Sequence, residues 1–165
     1  MPELPMTGTP VFLRLKNNQY LGVRTNVPGP TIGEVQMKST GDESCVFLLR
    51  FSFDRGPAKG PTEDGAFHLV HRATKGGLSW VPEGDSIKVY NYYHTISDAD
   101  MTGNSDFNFK RDILGHGFYA LNNQDKNLVI TQQDGLAVAS PWHGKDTQFW
   151  RILRLNGDPF EVGNQ

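Results

Sequence analysis

With 165 residues, 37% of them apolar, the chain is long enough for one domain with its own core, and its single cysteine excludes an intramolecular disulfide. Basic and acidic residues are interspersed around a formal charge of −2, so the electrostatic footprint of a nucleic-acid binder is missing. No run approaches the roughly 20 apolar residues of a membrane span, and 18 Gly with 10 Pro give a turn-rich composition. The opening MPELPMTGTP has neither the charged nor the apolar region of a signal peptide, and no N-x-S/T acceptor occurs. A cytoplasmic protein is expected from these features, with non-classical export as the alternative.

Taken in order, residues 1–9 read as an irregular arm, because Pro2, Pro5 and Pro10 fix φ and withhold donors. Four short apolar runs follow: Phe12–Leu15, Tyr20–Val23, Val35–Met37 and Cys45–Leu49, with a loop at Val27-Pro28-Gly29-Pro30 and a polar turn over 39–44. Residues 55–65, rich in Gly and Pro, are the strongest linker signal. A second set then appears as Phe67–Val70, Leu78–Val81, Ile87–Tyr90 and Phe107–Phe109, interrupted by a polar insertion over 95–105. The third set is the clearest: Phe118–Leu121, Leu128–Ile130, Leu136–Ala139 and Phe149–Ile152, separated by Asn, Asp, Gly and Pro. Runs of this length and composition read as strands. From the opening Phe to the second-strand Leu the separation is 9, 11 and 10 residues in Phe12–Leu21, Phe67–Leu78 and Phe118–Leu128, which marks an internal repeat. A polar tail, residues 156–165, is expected to be mobile apart from Phe160.

Twelve strands in three four-strand units leave exposed edges unless they close into a short barrel with a hairpin cap. The expectation is therefore one all-β domain over 1–165, with repeats at about 10–55, 65–113 and 116–155. The opening F-x-L strand, Asn17-Asn18-Gln19-Tyr20-Leu21-Gly22-Val23, the stretch from Gly65 to Trp80 and the closing Gln148-Phe149-Trp150-Arg151-Ile152 resemble the β-trefoil lectin superfamily. Amaranthin-like agglutinins and the trefoil modules of fungal haemolytic lectins are similar in flavour. That resemblance implies a β-trefoil with pseudo-threefold symmetry and a glycan ligand of the galactose or GalNAc type.

Few residues suggest catalysis. His68 and His71 are three apart in a strand, so alternation sends them to opposite faces, and surface or partly buried histidines are expected rather than a metal site. Cys45 opens a strand and reads as a buried thiol. Paired carboxylates, a phosphate loop and CxxC do not stand out, so a non-enzyme without a cofactor is expected. A sugar needs an aromatic platform for its C–H face and amides, carboxylates or imidazoles for its hydroxyls. Two places supply these types: Tyr90, Asn91, Tyr92, Tyr93 and His94, and the pair Trp142 and His143 with Lys145 and Asp146 close by. Asn122, Asn123 and Asp125 of the first turn are candidate polar partners in the third unit. Trp80 and the pair Phe149 and Trp150 are expected in the core, with Leu13, Leu15, Leu21, Leu69, Leu78, Leu121 and Leu128.

The leading expectation is a non-catalytic lectin whose partners are glycans or glycoproteins. Whether two copies pair as a homodimer is left open. The alternative is a protein-binding trefoil, a protease inhibitor presenting the loops 27–30 or 98–104, or a fascin-like cytoskeletal binder.

Overall fold

The computed structural model describes residues 10–24, 31–50, 66–81, 86–90, 109–123 and 127–159. The loops expected at 27–30, 55–65 and 95–105, together with the arm over 1–9 and Phe160, lie outside the described residues. Among those described, the strands are β1 (Pro10–Leu15), β2 (Tyr20–Arg24), β3 (Thr31–Lys38), β4 (Phe47–Arg50), β5 (Ala66–His71) and β6 (Gly76–Val81). They continue as β7 (Ser86–Tyr90), β8 (Phe109–Gly115), β9 (Phe118–Asn123), β10 (Leu128–Gln133), β11 (Leu136–Ser140) and β12 (Trp150–Leu153). Helical geometry among the described residues is confined to 3-10 turns at Glu43–Cys45 and Asp146–Gln148. The chain is all-β, as its two-residue periodicity implies.

Six strands close a circuit of antiparallel pairs: β1 with β4, β4 with β5, β5 with β8, β8 with β9, β9 with β12, and β12 back to β1. The other six form hairpins β2–β3, β6–β7 and β10–β11, whose second strands also pair with one another. Each strand of the barrel thus has a neighbour on both sides, which removes the edges that a flat sheet would expose. Alternation decides what faces inward. In β1, Val11, Leu13 and Leu15 are buried while Phe12 and Arg14 point outward and are half-buried. One core cluster joins these side chains to Leu21, Phe47, Leu69, Trp80, Phe109, Leu121, Ile130 and Trp150. Trp80 packs on Phe109 with ring centroids 4.8 Å apart, and Trp150 donates its indole N–H to the Ile130 carbonyl at 3.0 Å.

Turn chemistry fixes the register. Asp134 and Gly135, both at positive φ (55° and 79°), make the two-residue loop between Gln133 and its partner Leu136, a conformation that matches the right-handed twist of the strands. Asn18, Lys75 and Asn127 take left-handed φ values of 73°, 62° and 57°, and each lies three residues before a fully buried side chain, Leu21, Leu78 or Ile130.

Several sequence expectations are corrected here. Ile130 is the fully buried core residue of β10, while Leu128, directly after Asn127 at the mouth of the strand, packs against the core only partly buried. Phe149 is half-buried on the outside: Trp150 points inward, and alternation turns its predecessor away. His68 and His71 are both 1% exposed rather than at the surface. The His71 ring is satisfied by the Thr74 hydroxyl at Nδ1 (2.8 Å) and the Ser44 carbonyl at Nε2 (2.9 Å). Cys45 is buried as expected, but it ends a 3-10 turn rather than starting a strand. The start of the tail folds back, with Arg154 donating its backbone N–H to the Asp158 carbonyl at 2.6 Å and a bridge from Leu153 to Pro159.

Candidate functional site

The segment between β11 and β12 begins Pro141-Trp142-His143-Gly144-Lys145, and a fully buried glutamine shapes it. Gln148 accepts the backbone N–H groups of His143 (2.8 Å) and Gly144 (3.1 Å) at its carbonyl oxygen and donates its amide to the Pro141 carbonyl (2.9 Å) and the Thr131 hydroxyl (2.9 Å). One side chain therefore ties both ends of the turn, while Gly144 at φ 77° supplies the left-handed corner. Between those ties Trp142 is pushed outward, 47% exposed, with its ring against Phe149 at 5.6 Å.

Across from Trp142, the β8–β9 hairpin contributes the polar half. Asp112 pairs with Ala120 and Lys110 with Asn122, so Asp112, Ala120 and Asn122 share the outward face. The Asn122 amide donates to the Asp112 carboxylate. Its carbonyl oxygen is buried and accepts nothing from the described residues, and the residue is only 6% exposed. A buried acceptor without a donor costs about 1–3 kcal/mol. Turning the amide over would set oxygen against carboxylate, so the Asp112 bond fixes the orientation.

These groups line a groove of about 440 Å³ formed by Asp112, Leu114, Ala120, Asn122, Asn123, Asn127, Leu128, Val129 and Trp142. Of the residues singled out from sequence, Trp142, Asn122 and Asn123 come together here. Asn122 and Asn123 do so as the last residues of β9 rather than as turn residues. His143 is exposed and absent from the groove lining, its Nδ1 accepting the Lys145 backbone N–H at 3.1 Å. Asp125, Asn91, Tyr92 and His94 lie outside the described residues, and Tyr90 is described only as the backbone end of β7. Asp112, Leu114 and Asn127 were missed. The signal for Asp112 was the Gly115-His116-Gly117 turn, all at positive φ, which folds β8 onto β9 across the supposed boundary between two repeats.

The other polar centres serve structure. Hydrogen bonds from Ser44 and Lys38 hold the Asp42 carboxyl at about 2, and Asp42 in turn accepts the Ser44 N–H of the first 3-10 turn. Burial pushes the Cys45 thiol up, away from the thiolate that a nucleophile requires. Among the described residues no group of three or more His, Cys, Asp or Glu could hold a metal ion.

No protein-family model matches the chain, and no curated protein matches it in sequence. Solved structures do match. The designed threefold-symmetric protein ThreeFoil superposes with a TM-score of 0.65 at 18% identity, over 88% of this chain and 99% of that one. The fold is a β-trefoil. A lectin of Polyporus squamosus, solved with the epitope Neu5Acα2-6Galβ1-4GlcNAc, matches 90% of this trefoil over half of its own length, with a TM-score of 0.61 at 10% identity. An endo-β-galactosidase of Clostridium perfringens that releases GlcNAcα1-4Gal matches 93% of this chain over 33% of its own, with a TM-score of 0.63 at 12% identity. At such identities the likeness is one of fold.

Proposed function

We propose that this trefoil is a carbohydrate-binding module whose ligand sits in the groove between Trp142 and the Asp112–Asn122 pair. The observation that carries the reading is this juxtaposition: an exposed indole facing a carboxylate whose position is fixed by a buried amide. The indole offers a face for sugar C–H groups, and the Asp112 oxygens left over from Asn122 accept hydroxyl protons in charge-assisted bonds. Lectin and glycosidase chains among the structural neighbours support a glycan, or a glycoprotein bearing one, as the partner. Galactose and GalNAc lead the ligand panel because of the sequence resemblance. The module is read as non-catalytic: among the described residues of the groove lining Asp112 is the one carboxylate, whereas hydrolysis of a glycosidic bond normally uses two.

The twelve strands are read as three repeats, β1–β4, β5–β8 and β9–β12. Supporting this, Cys45 and Val46 donate to the Asp42 and Glu43 carbonyls as Gln148 and Phe149 donate to those of Lys145 and Asp146. On this alignment the first repeat has no counterpart site. Phe12 opposite Leu153 stands where Ala120 opposite Asp112 stands in the third, so the acceptor is replaced by hydrocarbon.

The test is a titration with a monosaccharide and oligosaccharide panel, followed by NMR. A ligand should shift the Trp142 indole and the Asn122 amide, and Asp112→Asn should weaken it at least tenfold, since hydrogen bonds to charged groups are worth about 1.5–3 kcal/mol. Binding unchanged by Asp112→Asn, or shifts centred away from the groove, would overturn the assignment.

A further inference from the structure

On the outer face of the barrel, where the first and last strands meet, Arg14 lies directly opposite Arg151 in the β1–β12 register. Directly opposed residues of an antiparallel pair stand on the same face with Cα atoms about 4.5–5.5 Å apart, and like charges in that relation destabilise a sheet. Both side chains are half-buried. Neither guanidinium finds a carboxylate or a hydrogen-bond acceptor among the described residues, and the Arg14 Nε is buried with its N–H unsatisfied. Arg151 lies over the Phe118 ring at 4.2 Å, which orients a guanidinium without neutralising it. Lys16, two residues beyond Arg14 and just past the end of β1, adds a third cation over Phe118 and Phe149, and its own acid, Asp146, is 3.3 Å away.

Two opposed arginines without acids among the described residues, at the seam that closes the barrel, call for an acceptor from outside. We propose that Arg14 and Arg151 form an oxyanion-binding site distinct from the groove. A tetrahedral or planar oxyanion, sulfate, phosphate or carboxylate, seated between the two forks takes N–H donors from both and cancels the repulsion across the pair. Its two sources are the free anion and the acid group of a glycan. The second is geometrically connected, because Trp142 touches Phe149 (5.6 Å), Phe149 touches Phe118 (6.0 Å) and Phe118 carries Arg151.

The experiment follows the Nε–Hε resonances of Arg14 and Arg151 in 15N-labelled protein titrated with sodium sulfate, against sodium chloride at equal ionic strength. Both resonances should move saturably in sulfate and not in chloride. Arg14→Gln should abolish the movement of Arg151, and Arg151→Gln that of Arg14. Should either Gln variant fail to fold, Arg14→Lys keeps the charge and removes the fork, and it should raise the sulfate midpoint severalfold. Equal responses to sulfate and chloride would overturn the site, as would an Arg151 titration indifferent to Arg14→Gln or Arg14→Lys. A sulfated monosaccharide and its unsulfated parent separate the sources. A midpoint at least tenfold below that of inorganic sulfate assigns the glycan acid, and equal midpoints assign the free anion. Asp112→Asn should leave the inorganic sulfate response intact, so failure of the groove as a sugar site and failure of this site are read separately.

Discussion

Trp142 and Trp150 have opposite environments, one 47% exposed and the other fully buried. Removing the first takes away a platform. Trp142→Ala should weaken glycan binding roughly twofold to tenfold, from the 0.5–1.5 kcal/mol that aromatic contacts contribute beyond area, while the melting temperature barely moves. Trp150→Ala leaves a cavity and orphans the Ile130 carbonyl, so urea unfolding should report a loss of about 3–5 kcal/mol. His71 gives a pH signature of its own. Burial of the ring holds its pKa below the ordinary 6.5, outweighing the Ser44 carbonyl bond and the nearby Glu43 carboxylate, both of which raise it. The unfolded chain therefore takes up a proton that the folded ring resists. The stability associated with neutral His71 is full above pH 6.5 and is lost as the pH falls below it. His71→Gln should flatten the fall in unfolding free energy below pH 6.5, and an unchanged slope would show that other groups carry it.

At the scale of the element, the left-handed residue before a strand decides which side chain reaches the core. Asn127 precedes β10, so Leu128 lines the mouth of the groove and Ile130 reaches the core cluster with Leu21 and Leu78. Ile130→Ala should cost about 2–5 kcal/mol, the usual range for a fully buried aliphatic truncation, and Leu128→Ala clearly less. Equal losses in denaturant titrations would mean that the register of the β10–β11 hairpin is shifted. The segment before β12 obeys a similar logic: Gln148 carries hydrogen bonds to His143, Gly144, Pro141 and Thr131, so it is the side chain through which the barrel aims Trp142 outward.

For the whole molecule, the decisive contact is the pairing of β1 with β12, which joins Phe12 to Leu153 and Leu15 to Trp150. Trp80 and Trp150, far apart in the chain, belong to one core cluster. Loss of tryptophan fluorescence and loss of strand signal in circular dichroism should therefore coincide in a single urea transition. Variants keeping only Trp80 or only Trp150, with Phe at the other two tryptophan positions, should show that same coincidence. Two separated transitions would show that the repeats fold as independent units. Folding should be slow for the size, since so many pairings are non-local.

Much of this architecture is local chemistry and was therefore legible. Alternation in Val11-Phe12-Leu13-Arg14-Leu15 and turn residues such as Asp134-Gly135 specify strands and hairpins without reference to distant parts of the chain. Trp142, Asn122 and Asn123 could be gathered into one candidate site because they belong to one stretch of about 40 residues, near the scale of a repeat. What sequence order hides is contact across the boundaries of those stretches. Asp112 entered the groove only when β8 folded onto β9, and His71 became buried only when Ser44, on another strand connection, covered its ring. Arg14 and Arg151 are opposed solely because the barrel closes its ends on each other. Periodicity acts within a strand and so can be read in the sequence, whereas the neighbour across the ladder is chosen by closure of the whole sheet, which only the tertiary structure decided.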